Sequence, residues 1–508
     1  MSFAYYDWIA HHAGMRGQHT ALIDLTTQRR FTYAQMHDRV GRAAAAMRAR
    51  GVGKGDRVCI LAANSTDMIE TQFAAFRIGA IWVPLNVRLT VPELEFIVGD
   101  AEPKLMIHDV DFATTAAEVA KRTNVPRLLA FGAPYEAALK ESAPILHQEP
   151  VSIEDVSTIM YTSGTTGRPK GAMITHKMTF INVVNLAMPA YITPRTVFLC
   201  VLPLFHTGGL NCYTNPILHV GGTTMVMRAF DPGEALRLIG DPAIGMTHFF
   251  GVPSIYQFMA AHPSFAKTDF SRLVIAGVGG APMPVPLLKT WEARGIALVQ
   301  GFGMTETSPA CTMLPAEEAA RKAGSCGKLV LHAEAKIVDE NGAHVKQGEV
   351  GELWVKGPNI TPGYWRREEA NKTSFTDGWL HTGDAARQDD EGFFYIVDRT
   401  KDMYISGGEN VYPAEVEDAL YALPAIAEAA VIGEPDETWG ETGLAIVALK
   451  PGQEITEAEV IAHCRERLAR FKCPTGVVFV EALPRNATGK VHKPTLREKF
   501  KERTRLMA

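Results

Sequence analysis

A chain of 508 residues, 46% hydrophobic and 21% charged, is too long for one compact core and has the composition of a soluble enzyme of two or more domains. Its formal net charge of -5 gives no electrostatic reason to bind nucleic acid or an anionic membrane. The seven cysteines (Cys59, Cys200, Cys212, Cys311, Cys326, Cys464 and Cys473) include no C-x-x-C pair for zinc or redox work, and their scatter suits a reducing cytoplasm.

The N-terminal "MSFAYYDWIAHHAG" lacks a basic start and an apolar run, so no signal peptide is expected. No apolar run reaches the roughly eighteen residues of a transmembrane helix, so no membrane anchor is expected either. Thr32 is expected to cap a helix through the alanine-rich run after it. Gly51 should end that helix, and "RVCILAA" should follow as a buried strand. "FRIGAIWVPLN", "PKLMIHD" and "VSTIMYT" continue the alternation, which argues for α/β layers. Near residue 400 the texture changes. A helix is expected from Pro413, with Val416 and Leu420 on one face. "AEAAVIGE", "GLAIVALK" and "GVVFVE" read as strands. Thr456 and Glu459 make a capping box for a helix with Val460, Cys464 and Leu468 as its buried stripe. With the boundary at "DRTKD", the chain divides into a large N-terminal α/β domain of several subdomains, 1–400, and a small mobile C-terminal α+β domain, 401–508.

The stretch "YTSGTTGRPKGAMITH" concentrates hydroxyls, glycines and a lysine after a strand. Backbone N–H groups in such a loop can form an anion-binding nest, and Lys170 adds a point charge. It is not a Walker loop, because Lys170 follows a proline and precedes Gly171. In "VQGFGMTETSP", Thr305 and Glu306 offer a hydroxyl for phosphate and a carboxylate for Mg²⁺, a hard cation that prefers oxygen. Taken alone, each of these pieces is more often a polar turn or a helix cap.

Together with "GWLHTGDAARQDDEGFFYIVDR" and "LPRNATGKVHK", these strings occur in the order of the adenylate-forming superfamily: acyl-CoA synthetases, nonribosomal-peptide adenylation domains and luciferases. The resemblance covers nearly the whole chain and is strongest to bacterial acyl-CoA synthetases. It implies that Thr162, Ser163, Gly164, Thr165, Thr166, Gly167 and Lys170 hold the β and γ phosphates of ATP. It implies that Thr305 contacts the α-phosphate and Glu306 the magnesium ion. Gly279, Gly280, Ala281, Gly301, Phe302 and Gly303 would line the adenine, and Asp384 and Arg399 would hold the ribose. Lys401 would be the hinge. Lys490 would bridge the acid's carboxylate and the α-phosphate, where charge builds in the transition state. Arg88, Gly407, Gly408, Trp439 and Phe471 would lie on the coenzyme A side, and His206 beside the carboxylate. The chain departs from the family at Phe302 (commonly tyrosine), His381 (often arginine), Arg485 and Asn486.

The acid pocket is expected between "PLFHTGG", "FFGVPSIYQFM" and "AGVGGAPMP". Phe249, Phe250, Val252, Tyr256 and Met304 would supply apolar walls, and Gly277, Gly279 and Gly280 open space. No Arg or Lys lies between Met246 and Ala266, so a second substrate carboxylate would be buried without a partner. A monocarboxylic acid with an apolar tail is expected, fatty and aryl acids both remaining open. The implied reaction forms an acyl-adenylate from the acid and ATP, then an acyl-CoA thioester. The alternatives are transfer to a carrier-protein thiol and a non-catalytic ATP-binding homologue. A homodimer is compatible with the sequence.

Overall fold

Helix Tyr33–Ala49 starts at its expected cap: the Gln35 N–H donates to Thr32 Oγ1 at 3.3 Å, and the Thr32 N–H donates to Gln35 Oε1 at 2.9 Å. Gly51 follows with φ +81°, a left-handed conformation that glycine adopts without strain. The computed structural model describes residues 4–500 apart from 163–168, 282, 400–401, 407–408, 437–438 and 487–489. Among the described residues the strands form four sheets.

The first sheet orders Leu128–Ala130, Leu105–His108, Arg57–Leu61, Ile81–Pro84, Val156–Thr162 and Lys170–Thr175. Its first five strands are parallel, and Lys170–Thr175 is an antiparallel edge. The second sheet has nine strands. A parallel centre, Leu298–Gly303, Ile275–Val278, His248–Gly251, Val197–Cys200, Thr223–Val226 and Thr20–Asp24, is flanked by antiparallel edges. The third sheet is antiparallel, built on Glu334–Val338, Gly351–Lys356, Trp379–Gln388 and Phe394–Arg399. The fourth holds Tyr404–Ser406, Glu409–Val411, Ile426–Asp436, Gly440–Leu449 and Gly476–Val480, packed by helices Pro413–Tyr421 and Glu457–Arg465. Val416 and Leu420 are buried as expected. The Thr456–Glu459 capping box forms, but its helix stops at Arg465, and Leu468 packs on the same core from the turn beyond.

Helix Thr66–Arg77 lies within the largest apolar cluster, which joins side chains of the first two sheets, and all of its residues are buried. A helix enclosed on every side must neutralise its own charges. Arg77 is fully buried. Its Nε donates to Asp7 Oδ2 at 2.7 Å, and its Nη1 to the carbonyls of His37 and Ile145. Glu70 accepts from Arg39 Nε at 2.5 Å and from the Tyr135 hydroxyl at 2.5 Å. Asp7→Asn keeps the cap on Ala10 but strips Arg77 of its counter-charge. It is expected to cost about 3–5 kcal/mol, read as a lowered thermal midpoint. An unchanged midpoint would show that the pair contributes nothing.

Candidate active site

The phosphate-loop candidate is a hairpin. Thr162 pairs with Lys170 across the two strands, and Thr162 Oγ1 donates to the Lys170 carbonyl at 3.4 Å. Ser163, Gly164, Thr165, Thr166 and Gly167 lie outside the described residues. A strand follows the loop, where a Walker loop opens a helix, so no helix dipole faces an anion here. Lys170 Nζ sits 5.3 Å from the ring centroid of Tyr364, within cation–π range. The Tyr364 hydroxyl donates to Glu306 Oε1 at 2.8 Å. One tyrosine thus ties the candidate phosphate lysine to the candidate magnesium carboxylate.

Thr305 and Glu306 begin the 3₁₀ turn Thr305–Thr307, directly after strand Leu298–Gly303. Gly303 is obligatory there, since a Cβ would overlap the Pro309 carbonyl. The turn is held from the segment 358–365. The Thr361 N–H donates to the Glu306 carbonyl at 2.7 Å, and Asn359 Nδ2 donates to the carbonyls of Thr307 and Ala310. Glu306 is buried and keeps a carboxylate oxygen beyond the one Tyr364 engages, a donor set that fits a hard cation shared with phosphate oxygens and water. Phe302, Met304 and Gly301 are half-buried on the same strand end.

Asp384 and Arg399 are directly opposed on neighbouring antiparallel strands. Asp384 is buried, and its N–H donates to Thr382 Oγ1 at 3.1 Å. The preceding Gly383 adopts φ +69° and donates its N–H to Glu352 Oε1 at 3.0 Å. His381 stacks on Trp354 at 3.9 Å. Lys401 lies outside the described residues.

Among the described residues, the C-terminal lobe meets the N-terminal part beside helix Pro253–Ala261 and beside Gly280. Gln257 Nε2 donates to the Ala427 carbonyl at 2.8 Å. Gly280, at φ +82°, faces Lys490: a Cβ there would lie 3.6 Å from Lys490 Cε, 3.9 Å from Nζ and 3.4 Å from Val252 Cγ1. Asn486 shapes the Lys490 loop. The Lys490 N–H donates to Asn486 Oδ1 at 3.0 Å, and the Asn486 N–H donates to the Lys490 carbonyl at 2.7 Å. Arg485 pairs with Glu428. Both departures from the family pattern therefore have structural work.

The coenzyme-side candidates divide. Gly407 and Gly408 lie outside the described residues, but the strands flanking them do not: Ser406 pairs with Glu409 and with Gly440. The Trp439 N–H donates to Asp436 Oδ1 at 2.8 Å beside that pairing. Phe471 packs half-buried on the same lobe's core. Arg88 belongs to the N-terminal part, exposed on the turn before helix Val91–Ala101, with its N–H on Asn86 Oδ1 at 3.0 Å.

The acid-pocket expectations need two corrections. Tyr256 and Phe249 are not pocket walls. Both are buried in the second core, where the Tyr256 ring meets Phe249 and Trp291 edge-on and its hydroxyl donates to the Gly277 carbonyl at 2.7 Å. Strand alternation is the cause: Phe249 points to one face of the sheet and Phe250 to the other. Nor do Gly277 and Gly279 leave empty space. A Cβ on Gly277 would lie 2.9 Å from Phe250 Cδ2 and 2.9 Å from the Tyr213 hydroxyl, and one on Gly279 would lie 3.3 Å from Phe250 Cζ. Phe250 therefore lies across both glycines, and Tyr213 closes the far end. His206 opens the short helix Thr207–Gly209, on a loop whose Leu204 N–H donates to Asn64 Oδ1 at 2.8 Å. Ala281 is exposed at the end of the glycine segment.

Residues 9–365 match the family model of the AMP-binding enzymes, and residues 415–490 match the model of the AMP-binding enzyme C-terminal domain. The chain belongs to the AMP-binding enzyme family. A feruloyl-CoA synthase of an Amycolatopsis species is 43% identical over 469 residues, 92% of this chain and 94% of that protein. A long-chain-fatty-acid–CoA ligase of Mycobacterium tuberculosis is 38% identical over 483 residues, 94% of this chain and 95% of its own. The crystal structure of ATP-bound MatB from Rhodopseudomonas palustris superposes with a TM-score of 0.92 at 33% identity, covering 98% of this chain and 99% of that one. The protein is an AMP-forming acyl-CoA synthetase that uses a carboxylic acid, ATP and coenzyme A.

In this synthetase no cysteine is set up to carry the acyl group. Burial pushes the thiols of Cys200, Cys212 and Cys311 up to about 12 and those of Cys326 and Cys464 to about 11, and it raises Cys59 and Cys473 as well. All stay thiols at neutral pH. No helix among the described residues is long and apolar enough to cross a membrane.

Sequence reading missed Tyr364, Thr361 and Asn359, which sit in a proline- and glycine-bearing stretch that reads as an ordinary loop, and it missed Tyr213. Tyr364→Phe removes the hydrogen bond to Glu306 while keeping the ring near Lys170. It is expected to lower acid-dependent ATP–pyrophosphate exchange about tenfold, with the thermal midpoint held. Exchange at the wild-type rate would show that the tyrosine does not serve the site.

Proposed function

We propose that this acyl-CoA synthetase activates an aryl monocarboxylic acid of the cinnamate type. The observation that carries the reading is the aromatic end of the pocket. The Phe250 ring lies across Gly277 and Gly279, Tyr213 lies tilted against it at 5.3 Å, and Phe198 stacks on Tyr213 at 5.5 Å. A closed aromatic floor sets a ring-sized depth and offers stacking partners to a flat ring. The 43% identity to a feruloyl-CoA synthase supports the same class. The absence of Arg and Lys from 246–266 argues against a second carboxylate.

The residue roles follow from position and chemistry. The acid's carboxylate oxygen attacks the α-phosphorus of ATP, the bond to the bridging β-oxygen breaks, and pyrophosphate leaves. Lys490, beside Gly280, is suited to the charge growing between carboxylate and phosphate, and Thr305 to the α-phosphate. Lys170 and the loop beginning at Thr162 take the pyrophosphate end. Asp384 and Arg399 take the ribose, Phe302 and the glycines around 279–281 and 301–303 the adenine. Glu306 would hold Mg²⁺, which supplies charge neutralisation on the phosphates. His206 stands at the pocket mouth. In the second half-reaction the coenzyme A sulfur bonds to the acyl carbon, the thiol proton is lost, and AMP departs. A turn of the C-terminal lobe about Lys401 would bring the Gly407–Gly408 loop and Trp439 forward, with Phe471 and Arg88 on the coenzyme side.

The test is pyrophosphate release with ATP and Mg²⁺ over benzoate, cinnamate, ferulate, octanoate, palmitate and malonate, with and without coenzyme A. Coenzyme-dependent turnover highest on the cinnamic acids is expected. Highest turnover on palmitate or malonate would overturn the reading of the pocket, and a single burst unaffected by coenzyme A would move the acceptor to a carrier protein.

A further inference from the structure

Three buried asparagines, Asn211, Asn182 and Asn359, lie between the acid side and the phosphate side of the site, and none has a place in the catalytic steps above. Asn211 belongs to the π-helical turn Leu210–Thr214, which follows His206 and the short helix Thr207–Gly209. Its Nδ2 donates to Thr207 Oγ1 at 3.3 Å. Its carbonyl is not claimed by the turn: the Asn215 N–H goes to the Leu210 carbonyl, and Pro216 has no N–H to give. Asn182 Nδ2 donates to that carbonyl at 2.7 Å.

The oxygen of the same amide meets the return strand of the Glu306 turn. Strands Leu298–Gly303 and Ala310–Met313 shift register between Phe302 and Gly303, and beside that irregularity the Ala310 N–H donates to Asn182 Oδ1 at 3.2 Å. Asn359 Nδ2 then donates to the Ala310 carbonyl at 3.0 Å and to the Thr307 carbonyl at 3.1 Å. Hydrogen bonds thus run residue to residue from Thr207 to Thr307. Asn182 itself stands on helix His176–Ala187, directly after the strand Lys170–Thr175. One amide therefore joins the acid-side turn to the Glu306-side strand from the helix that follows the phosphate strand.

Adenylation brings together two separate substrates, and the carboxylate oxygen must meet the α-phosphorus. Each substrate is held by its own contacts, but the distance and angle between them depend on how the two walls stand to one another. A misplacement of about 1 Å can cost about 100-fold in rate. A buried amide engaged at both its oxygen and its nitrogen fixes such a relation directionally, which apolar packing does not. We infer that Asn182 is a positioning residue for adenylation, holding the acid-side turn 207–214 at a set placement against the Thr305–Glu306 turn. This rests on the assignment of those two turns to the acid and to the phosphates with Mg²⁺ made above. In the acyl-adenylate the acyl–phosphate bond itself sets the relation, so thioester formation does not call on Asn182.

The experiment measures acid-dependent ATP–pyrophosphate exchange, and thioester formation from supplied acyl-adenylate with coenzyme A, on the same preparation of wild type, Asn182→Leu and Asn182→Ala. Asn182→Leu keeps the volume and removes both hydrogen bonds. Asn182→Ala removes them without crowding and gives the same comparison where the leucine variant does not fold. The ratio of the two rates is independent of the active fraction, so a loss of folded enzyme does not move it. The ratio is expected to fall about tenfold or more. The fall should lie in kcat of exchange, with KM for ATP and for the acid within about threefold of wild type. An unchanged ratio, or a loss carried by the KM of one substrate alone, overturns the role of Asn182. Glu306→Gln and His206→Ala, measured alongside, test the assignment beneath it. Exchange at the wild-type rate in either removes that end of the site and the inference with it. Loss of exchange in both, beside an unchanged Asn182 ratio, leaves the site reading intact and overturns Asn182 alone.

Discussion

The arrangement depends on a single close approach between parts of the chain 210 residues apart, the Lys490 side chain against the backbone of Gly280. Glycine suits the position because the backbone there is left-handed, at φ +82°; a Cβ would make only ordinary contacts with Val252 and the lysine stem. The contact brings an ammonium group just beyond the end of strand Ile275–Val278, to the segment proposed to border the acid pocket. Gln257 also donates across the lobes to the Ala427 carbonyl, a neutral hydrogen bond of the kind that contributes about 1 kcal/mol. An interface built from such modest contacts can be exchanged for another, as the lobe turn proposed for the second half-reaction requires.

Around that contact, the two parallel sheets supply their strand ends and the antiparallel third sheet supplies the Asp384–Arg399 pair. The segment 358–365 binds them into one site: Thr361 and Asn359 fix the turn holding Glu306, and Tyr364 connects Glu306 to Lys170. Rigidity comes from below, where helix Thr66–Arg77 is enclosed between the sheets and its charges are met by Asp7, Arg39 and Tyr135. The pre-organised half of the proposed site thus stands on the large N-terminal part, and Lys490, the proposed catalytic lysine, is carried by the small one.

Local rules made much of this legible in the sequence. Thr32 and Thr456 cap the helices they were expected to cap, and Val156–Thr162 is a strand with the expected limits. The family was readable because its four motifs are each contiguous and occur in order. What failed is what depends on facing. Phe249 and Phe250 are adjacent, so on a strand only one of them can look into the pocket, and Tyr256 follows Phe249 into the core. Tyr213 stayed hidden because its π-helical turn breaks the 3.6-residue period. Tyr364 stayed hidden because its partners, Glu306 and Lys170, are 58 and 194 residues away in sequence.

The central claim is that Lys490, placed against Gly280, serves the first half-reaction and not the second. The direct measurement compares Lys490→Gln with wild type in two assays, acid-dependent ATP–pyrophosphate exchange and thioester formation from supplied acyl-adenylate with coenzyme A. The account predicts that exchange falls by about 100-fold or more while thioester formation from the adenylate stays near the wild-type rate. Equal losses in the two assays would contradict it.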